Sequence, residues 1–220
     1  MSRPRLRQHL SAPGLLKTIR QSFAAIPDHR RERSEISLTD ALMSGLAVFA
    51  LKYPSLLQFD RERNEALVRS NLQTLYGVDR APCDTQLRTI LDPVDPAQLR
   101  GPFRAVHRHV QRQGALKQYQ YLDGHALLLV DGTGHFASSK ISCPECCVKE
   151  SQGKTGYYHQ LLGAVLAHPQ LKTVLPMAAE AITRQDGESK NDCEVRFVDS
   201  KPYLNKVRGM GPESEIGNRL

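Results

Sequence analysis

Asp131 closes a run of apolar residues, Ala126-Leu127-Leu128-Leu129-Val130, and is followed by Gly132-Thr133-Gly134. A carboxylate in that position is held by a buried element while its oxygens face a cleft, and the glycines let a cation or phosphate come close. Hard cations such as Mg2+ take one or two carboxylates together with water and phosphate oxygen. Asp-Gly is also a common turn dipeptide, in which the carboxylate bonds to its own backbone. Asp123-Gly124 precedes the apolar run instead of following it, and reads as a plain hairpin or loop.

A second chemistry is written in Cys143-Pro144-Glu145-Cys146-Cys147, a C-x2-C hook that supplies half of a zinc site at Cys143 and Cys146. Closing such a site takes two more ligands. His135, His159 and Cys193 are the candidates, none at a standard interval. The competing reading is a set of reduced, mostly buried thiols. Gly153-Lys154-Thr155 has the form of the end of a phosphate loop, but that motif needs glycine where this chain has Val148. ATP binding is excluded on that ground. His159, between Tyr158 and Gln160, reads as a packed or hydrogen-bonded strand residue, and His107 and His109 as surface groups of a helix.

The elements that must position these groups fall into two textures. From Leu15 to about Gln113 the pattern is helical. Ser37 or Thr39 caps a helix whose apolar positions Leu42, Leu46, Phe49 and Ala50 recur at three- and four-residue steps, and Pro54 lies beyond its end. Ser55 opens a helix around Leu56, Leu57 and Phe59. Cys83-Asp84-Thr85 leads into Leu87, Ile90 and Leu91, with Pro93 as the stop. Pro96 is a first-turn proline for a helix carrying Leu99, Phe103, Val106 and Val110, ended by Gly114. After Gln120 the pattern turns to strands. The run 126–130 reads as a strand buried on both faces. Tyr157–His168 and Thr173–Ile182 read as an antiparallel hairpin turning at His168-Pro169-Gln170, with Pro176 at an edge or bulge.

Composition sets the outer limits. The 220 residues include 40% hydrophobic and 24% charged side chains, enough to bury a core and too apolar for a disordered chain. The most apolar stretch, Ala41–Leu51, has eleven residues and contains Ser44 and Gly45. A membrane-spanning helix needs roughly 20. The Arg-bearing N-terminus has no apolar stretch behind it, which excludes a secretory signal, and five cysteines fit reduced thiols in a cytoplasm. Of the net charge of +7, +6 sits in residues 1–33: Arg3, Arg5, Arg7, Lys17, Arg20, Arg30, Arg31 and Arg33 stand against Asp28 and Glu32. Charge concentrated in this way offers phosphate a sequence-independent contact, or else forms a solvated arm.

With Asp131 placed, five blocks occur in an order and spacing that resemble a known family. They are YPSLLQFD (Tyr53–Asp60), CDTQLRTILDPVDP (Cys83–Pro96), LLLVDGTGHFASSKISCPECCVK (Leu127–Lys149), YYHQLLGAVLAHP (Tyr157–Pro169) and QDGESKNDCE (Gln185–Glu194). Over residues 15–194 the chain resembles the N-terminal half of a bacterial insertion-sequence transposase of the DDE type. The resemblance implies a helical region that contacts transposon-end DNA, followed by an RNase H-like catalytic domain in which Asp131 is the first catalytic Asp. It also implies Mg2+ or Mn2+ as cofactor, held by two Asp and one Glu, for metal-dependent cleavage and transfer of DNA strands. In the family the second Asp and the Glu lie beyond the block that ends at Glu194. Residues 195–220 do not resemble the family's continuation, and Asp192 and Glu194 are not its ligands.

The expectation is therefore an α+β chain: a helical, basic, DNA-contacting region at 1–115, a partial RNase H-like domain with a mixed or antiparallel sheet at 116–194, and a divergent, poorly ordered tail at 195–220. Its expected function is that of a truncated, catalytically incomplete transposase. The expected partners are double-stranded DNA of transposon ends and a second copy or a full-length transposase, without a membrane. The place is the cytoplasm, at the nucleoid when DNA is bound. The alternatives are a non-catalytic DNA-binding remnant and a zinc-stabilised interaction module.

Overall fold

Six α-helices and a four-stranded antiparallel sheet follow one another along the chain, an α+β architecture with the helices first, in a computed structural model that describes residues 10–30 and 34–182. The chain divides after Gln113 into two compact units.

In the first unit each of the first three helices starts where a side chain can take over an unpaired backbone N–H. Ser11 accepts from Gly14 to open α1 (Ala12–Phe23), Ser37 accepts from Asp40 to open α2 (Leu38–Ala50), and Ser55 accepts from Gln58 to open α3 (Leu56–Glu62). Further on, α4 (Ala66–Thr74), α5 (Asp84–Leu91) and α6 (Arg100–Arg112) follow, with Pro96 in a 3-10 turn ahead of α6 and Gly114 at φ 70° after it. The left-handed residue there is what a helix end asks of glycine. Leu42, Met43, Phe59, Leu72, Val78, Leu87 and Ile90 come together in one buried apolar cluster.

Two expectations fail in this unit. Phe49, assigned to the buried stripe of α2, is 81% exposed. Helix α2 buries Ala41, Leu42, Met43, Ala47 and Val48, so its inward face is turned away from Phe49. His107, expected on the surface, is buried, while Arg104 and Arg108 of the same helix are exposed. Its ring falls on the stripe with Val110, the i to i+3 neighbour, and α6 packs that stripe inward. Burial holds the His107 pKa below the usual 6.5.

The second unit is built on one long strand. β1 (Leu127–Ser138), β2 (Cys147–Ser151), β3 (Lys154–Ala167) and β4 (Leu175–Ile182) form the sheet. β3 is its spine: β1 runs along one edge, while β2 and then β4 share the other. The β3–β4 hairpin turns where His168-Pro169-Gln170 was expected to turn it, with the Leu171 N–H on the His168 carbonyl at 3.0 Å. Pro176 stands next to a register irregularity in β4, where a missing N–H is tolerated. Strand β2 has no counterpart among the sequence expectations. It joins β3 through Gln152 and Gly153, both at positive φ, the backbone of a tight two-residue hairpin. Gly153-Lys154-Thr155 is therefore turn and strand, consistent with the exclusion of a phosphate loop.

The expectation of a strand buried on both faces at 126–130 is overturned. Leu127 and Leu129 are 42% and 47% exposed, and the residues that alternate with them are half-buried. Successive side chains of a strand point to opposite faces. One face, with Leu162, Ala164 and Leu166 of β3 beside Gly132, Val130 and Leu128, is the packed one; the other meets solvent.

Candidate metal centre

Asp131 does not end its strand. β1 continues through it to Ser138, so the carboxylate sits mid-strand, opposite Gly163, on the exposed face. The glycines that follow do not stop the pairing, because Gly132 and Gly134 lie opposite Leu162 and Gln160 of β3. Asp131 Oδ1 accepts the N–H of Gly132 at 2.8 Å, the bond of an Asp to its own backbone. It belongs to no group of three or more Asp, Glu, His or Cys donors among the described residues. A two-cation centre asks for several carboxylates, and the donors around Asp131 do not fit one. Asp123 lies in the loop before β1 at φ 51°, as its loop reading expected.

The donors that do converge are Cys143, Cys146 and His159. Cys143 and Cys146 sit in the loop that leads into β2, which closes on itself through the Cys146 N–H on the Cys143 carbonyl at 3.1 Å. Strand alternation then sorts the adjacent cysteines. Cys147 pairs with Tyr158 and shares its face, so Cys146 falls on the opposite face, which is that of His159. Cys147 Sγ accordingly reaches the Ile182 carbonyl at 3.6 Å, away from the cluster. Nε2 of His159 lies 3.3 Å from Sγ of both Cys143 and Cys146, and the two sulfurs are 3.6 Å apart.

Those spacings decide what the cluster can do. A tetrahedral ion bonded to sulfur at about 2.3 Å and to nitrogen at about 2.0 Å holds its sulfurs about 3.8 Å apart and each sulfur about 3.5 Å from the nitrogen. The three observed edges lie within a few tenths of an ångström of that figure. A disulfide would bring the sulfurs to about 2.05 Å, and all three cysteines of the hook are free. The Cys143 N–H also donates to Cys146 Sγ, at 3.2 Å. The three donors form a group able to hold a metal ion.

Asp131 of β1 stands opposite Gly163 of β3, four residues along from His159. β3 runs without irregularity from His159 to Gly163, so both residues face the same way. Four residues of strand separate them by about 13 Å, too far for one ion to be shared.

The basic groups named from sequence separate into three sets. Arg3, Arg5, Arg7, Arg31 and Arg33 lie outside the described residues, as do Cys193, Asp192 and Glu194. Lys17 is exposed on α1. Arg20 and Arg30 are engaged within the fold: Arg20 Nη2 donates to Asp40 Oδ1 at 2.8 Å, and Arg30 grips Asp28 at 2.7 Å and the Ile36 carbonyl at 2.8 Å. The hydrogen bond from Arg30 lowers the Asp28 pKa to about 2. Among the described basic residues of this group, Lys17 is the one that faces solvent without a carboxylate partner.

His159 was named in sequence only as one of several spare ligands and was read chiefly as packing. Its signal was there in weak form, a histidine thirteen residues after a C-x2-C hook, but only strand pairing brings it to the sulfurs. No protein-family model, no curated protein and no solved structure matches this chain.

Proposed function

We propose that the chain is a DNA-contacting protein of the DDE transposase class that lacks catalytic competence by itself. The observation that carries the reading is the placement of Asp131: a solvent-facing carboxylate on the first strand of an antiparallel sheet, behind a helical unit, in the order the resemblance requires. The concentration of positive charge in residues 1–33 supports contact with DNA phosphates. A lone carboxylate binds one hard cation weakly and leaves the charge of a phosphodiester transition state unsupported. Single stabilising groups of that kind are worth about 10²-fold in rate. The expected role is binding of transposon-end duplex, without cutting.

A salt titration tests it. Binding of a duplex by the full chain falls linearly in log–log form with salt, by about 0.9 per phosphate contacted, and replacing Arg3, Arg5 and Arg7 with Ala flattens the slope by up to about 3. No binding at about 50 mM salt overturns the DNA reading. Nicking with Mn2+ that Asp131→Ala abolishes overturns the claim of incompetence.

A second reading, favoured by the Cys143, Cys146 and His159 geometry, concerns the ion. Two thiolates and an imidazole select a borderline ion such as Zn2+ over Mg2+. In this reading the zinc is structural, fixing the hook to β3, and is chemically separate from Asp131.

A further inference from the structure

Three donors leave one vertex of a tetrahedron open, and the inference about what fills it rests on the zinc reading of the cluster. Structural zinc sites are closed by four protein ligands, whereas sites that keep a water are the reactive ones. Within the hook, Glu145 is exposed and does not join the group, and Cys147 turns to the other face of the sheet. The remaining described donor beside the cluster is on β1.

His135 occupies a bulge. The β1–β3 register shifts between Gly134 and Phe136, so that His135 and Phe136 together stand opposite His159. A bulge of this kind re-aims a side chain that regular pairing would send elsewhere. The His135 and His159 rings are stacked, with centroids 5.9 Å apart and planes 22° from parallel. Two imidazoles bound through Nε2 to one tetrahedral ion place their centroids about 5 Å apart and each ring plane through the ion, so His135, which stands outside the donor group as placed, joins it by turning its ring. His135 is exposed and its ring turns without vacating packed space. Phe136 flanks the same His159 ring, with centroids 5.7 Å apart.

We propose that His135 is the fourth ligand, closing a Cys2His2 zinc site with Cys143, Cys146 and His159. The ion then ties the loop before β2 to two strands that already pair, at the bulge of β1 and on the spine strand β3. It fixes the β1–β3 register from the same face that carries Asp131. β1 and β3 pair on both sides of the bulge, whereas the chain between Ser138 and Cys147 belongs to no strand, so the ion ties that loop to a ladder already in place.

The test uses the full chain with zinc exchanged for Co2+, whose absorption reports thiolate bonding and tetrahedral geometry separately. The expected result is one zinc per chain, and a cobalt form with thiolate charge transfer and the strong visible bands of a tetrahedral ion. His135→Ala keeps the charge transfer, loses much of the visible intensity, and weakens zinc binding by about 100-fold, about the share of one ligand in four. His135→Cys restores tight binding and adds a third thiolate to the charge-transfer band, which shows that the position is a vertex and not merely a packing contact. Cys193→Ser leaves affinity and spectrum unchanged. If His135→Ala and His135→Cys both match the parent chain, water or Cys193 holds the vertex and the His135 assignment is wrong while the zinc reading stands. If the parent chain retains no zinc and gives no thiolate-to-cobalt band, the zinc reading itself fails.

Discussion

The helical unit and the sheet unit solve the same problem by different means. The first closes an apolar core from segments that are helical on local grounds: Phe59 is 1% exposed, and Met43 and Leu87 lie beside it in one cluster. The second hangs on β3, which meets β2 and β4 through hairpins and β1 through a longer-range pairing, and one of its faces leaves Leu127 and Leu129 in solvent. The helical unit is held by burial. The sheet unit has a backbone ladder and one packed face with Leu162, Ala164, Leu166 and Met177 buried, and has less packed apolar surface to draw on. The ion proposed for Cys143, Cys146 and His159 would add closure where the apolar core is smaller, as it does in small domains that fold around an ion.

This contrast between the units is most open to test in their cores. Phe59→Ala should cost the helical unit about 3–5 kcal/mol in urea unfolding, while Leu129→Ala in the sheet should stay within about 0.5 kcal/mol. A similar loss at both positions would mean that the exposed face of β1 is covered in solution. Removing zinc with a chelator comes next. It should lower the stability of the sheet unit by about 4 kcal/mol if free zinc had stood a thousandfold above its dissociation constant, with no change in helical-unit amide exchange. Equal loosening of both units would show that they do not respond independently.

The smallest expected effect is on pH. Burial keeps His107 neutral in the folded helical unit, with its pKa below 6.5. Below that value the unfolded chain takes up a proton that the folded one refuses, so stability is full above pH 6.5 and is lost as the pH falls beneath it. His107→Gln should flatten this slope in the helical unit and leave the sheet unit unaffected. A slope that survives the substitution would place its origin elsewhere, and Asp28 is not that origin. Its carboxylate, held at about 2 by Arg30, contributes stability that is present above 3.8 and lost only as the pH falls toward 2.

Much of the helical unit was legible because its signals are local. Ser37 and Ser55 were readable as caps and Gly114 as a stop, each acting on backbone groups within one turn. The β3–β4 hairpin was legible for the same reason, its turn being written in His168-Pro169-Gln170. What was not legible is which way an element faces. Periodicity assigned α2 an apolar stripe but did not tell Phe49 from Val48, and placed His107 outside a core it enters. At the candidate site the hook at Cys143 and Cys146 could be read, whereas His159 needed the β2–β3 register and His135 needed the β1 bulge.

The order of amino acids alone dictated the kinds of element, their caps and turns, the positive charge of the first 33 residues, and a pair of thiols at ligand spacing. These depend on backbone and side-chain energetics within a few residues. It took the folded sheet to put Asp131 within a strand instead of at its end, to turn Cys147 away from Cys146, and to bring His159 to the sulfurs. The reason is the two-residue period of a strand: one step of register moves every side chain to the opposite face, and register is fixed only when strands pair.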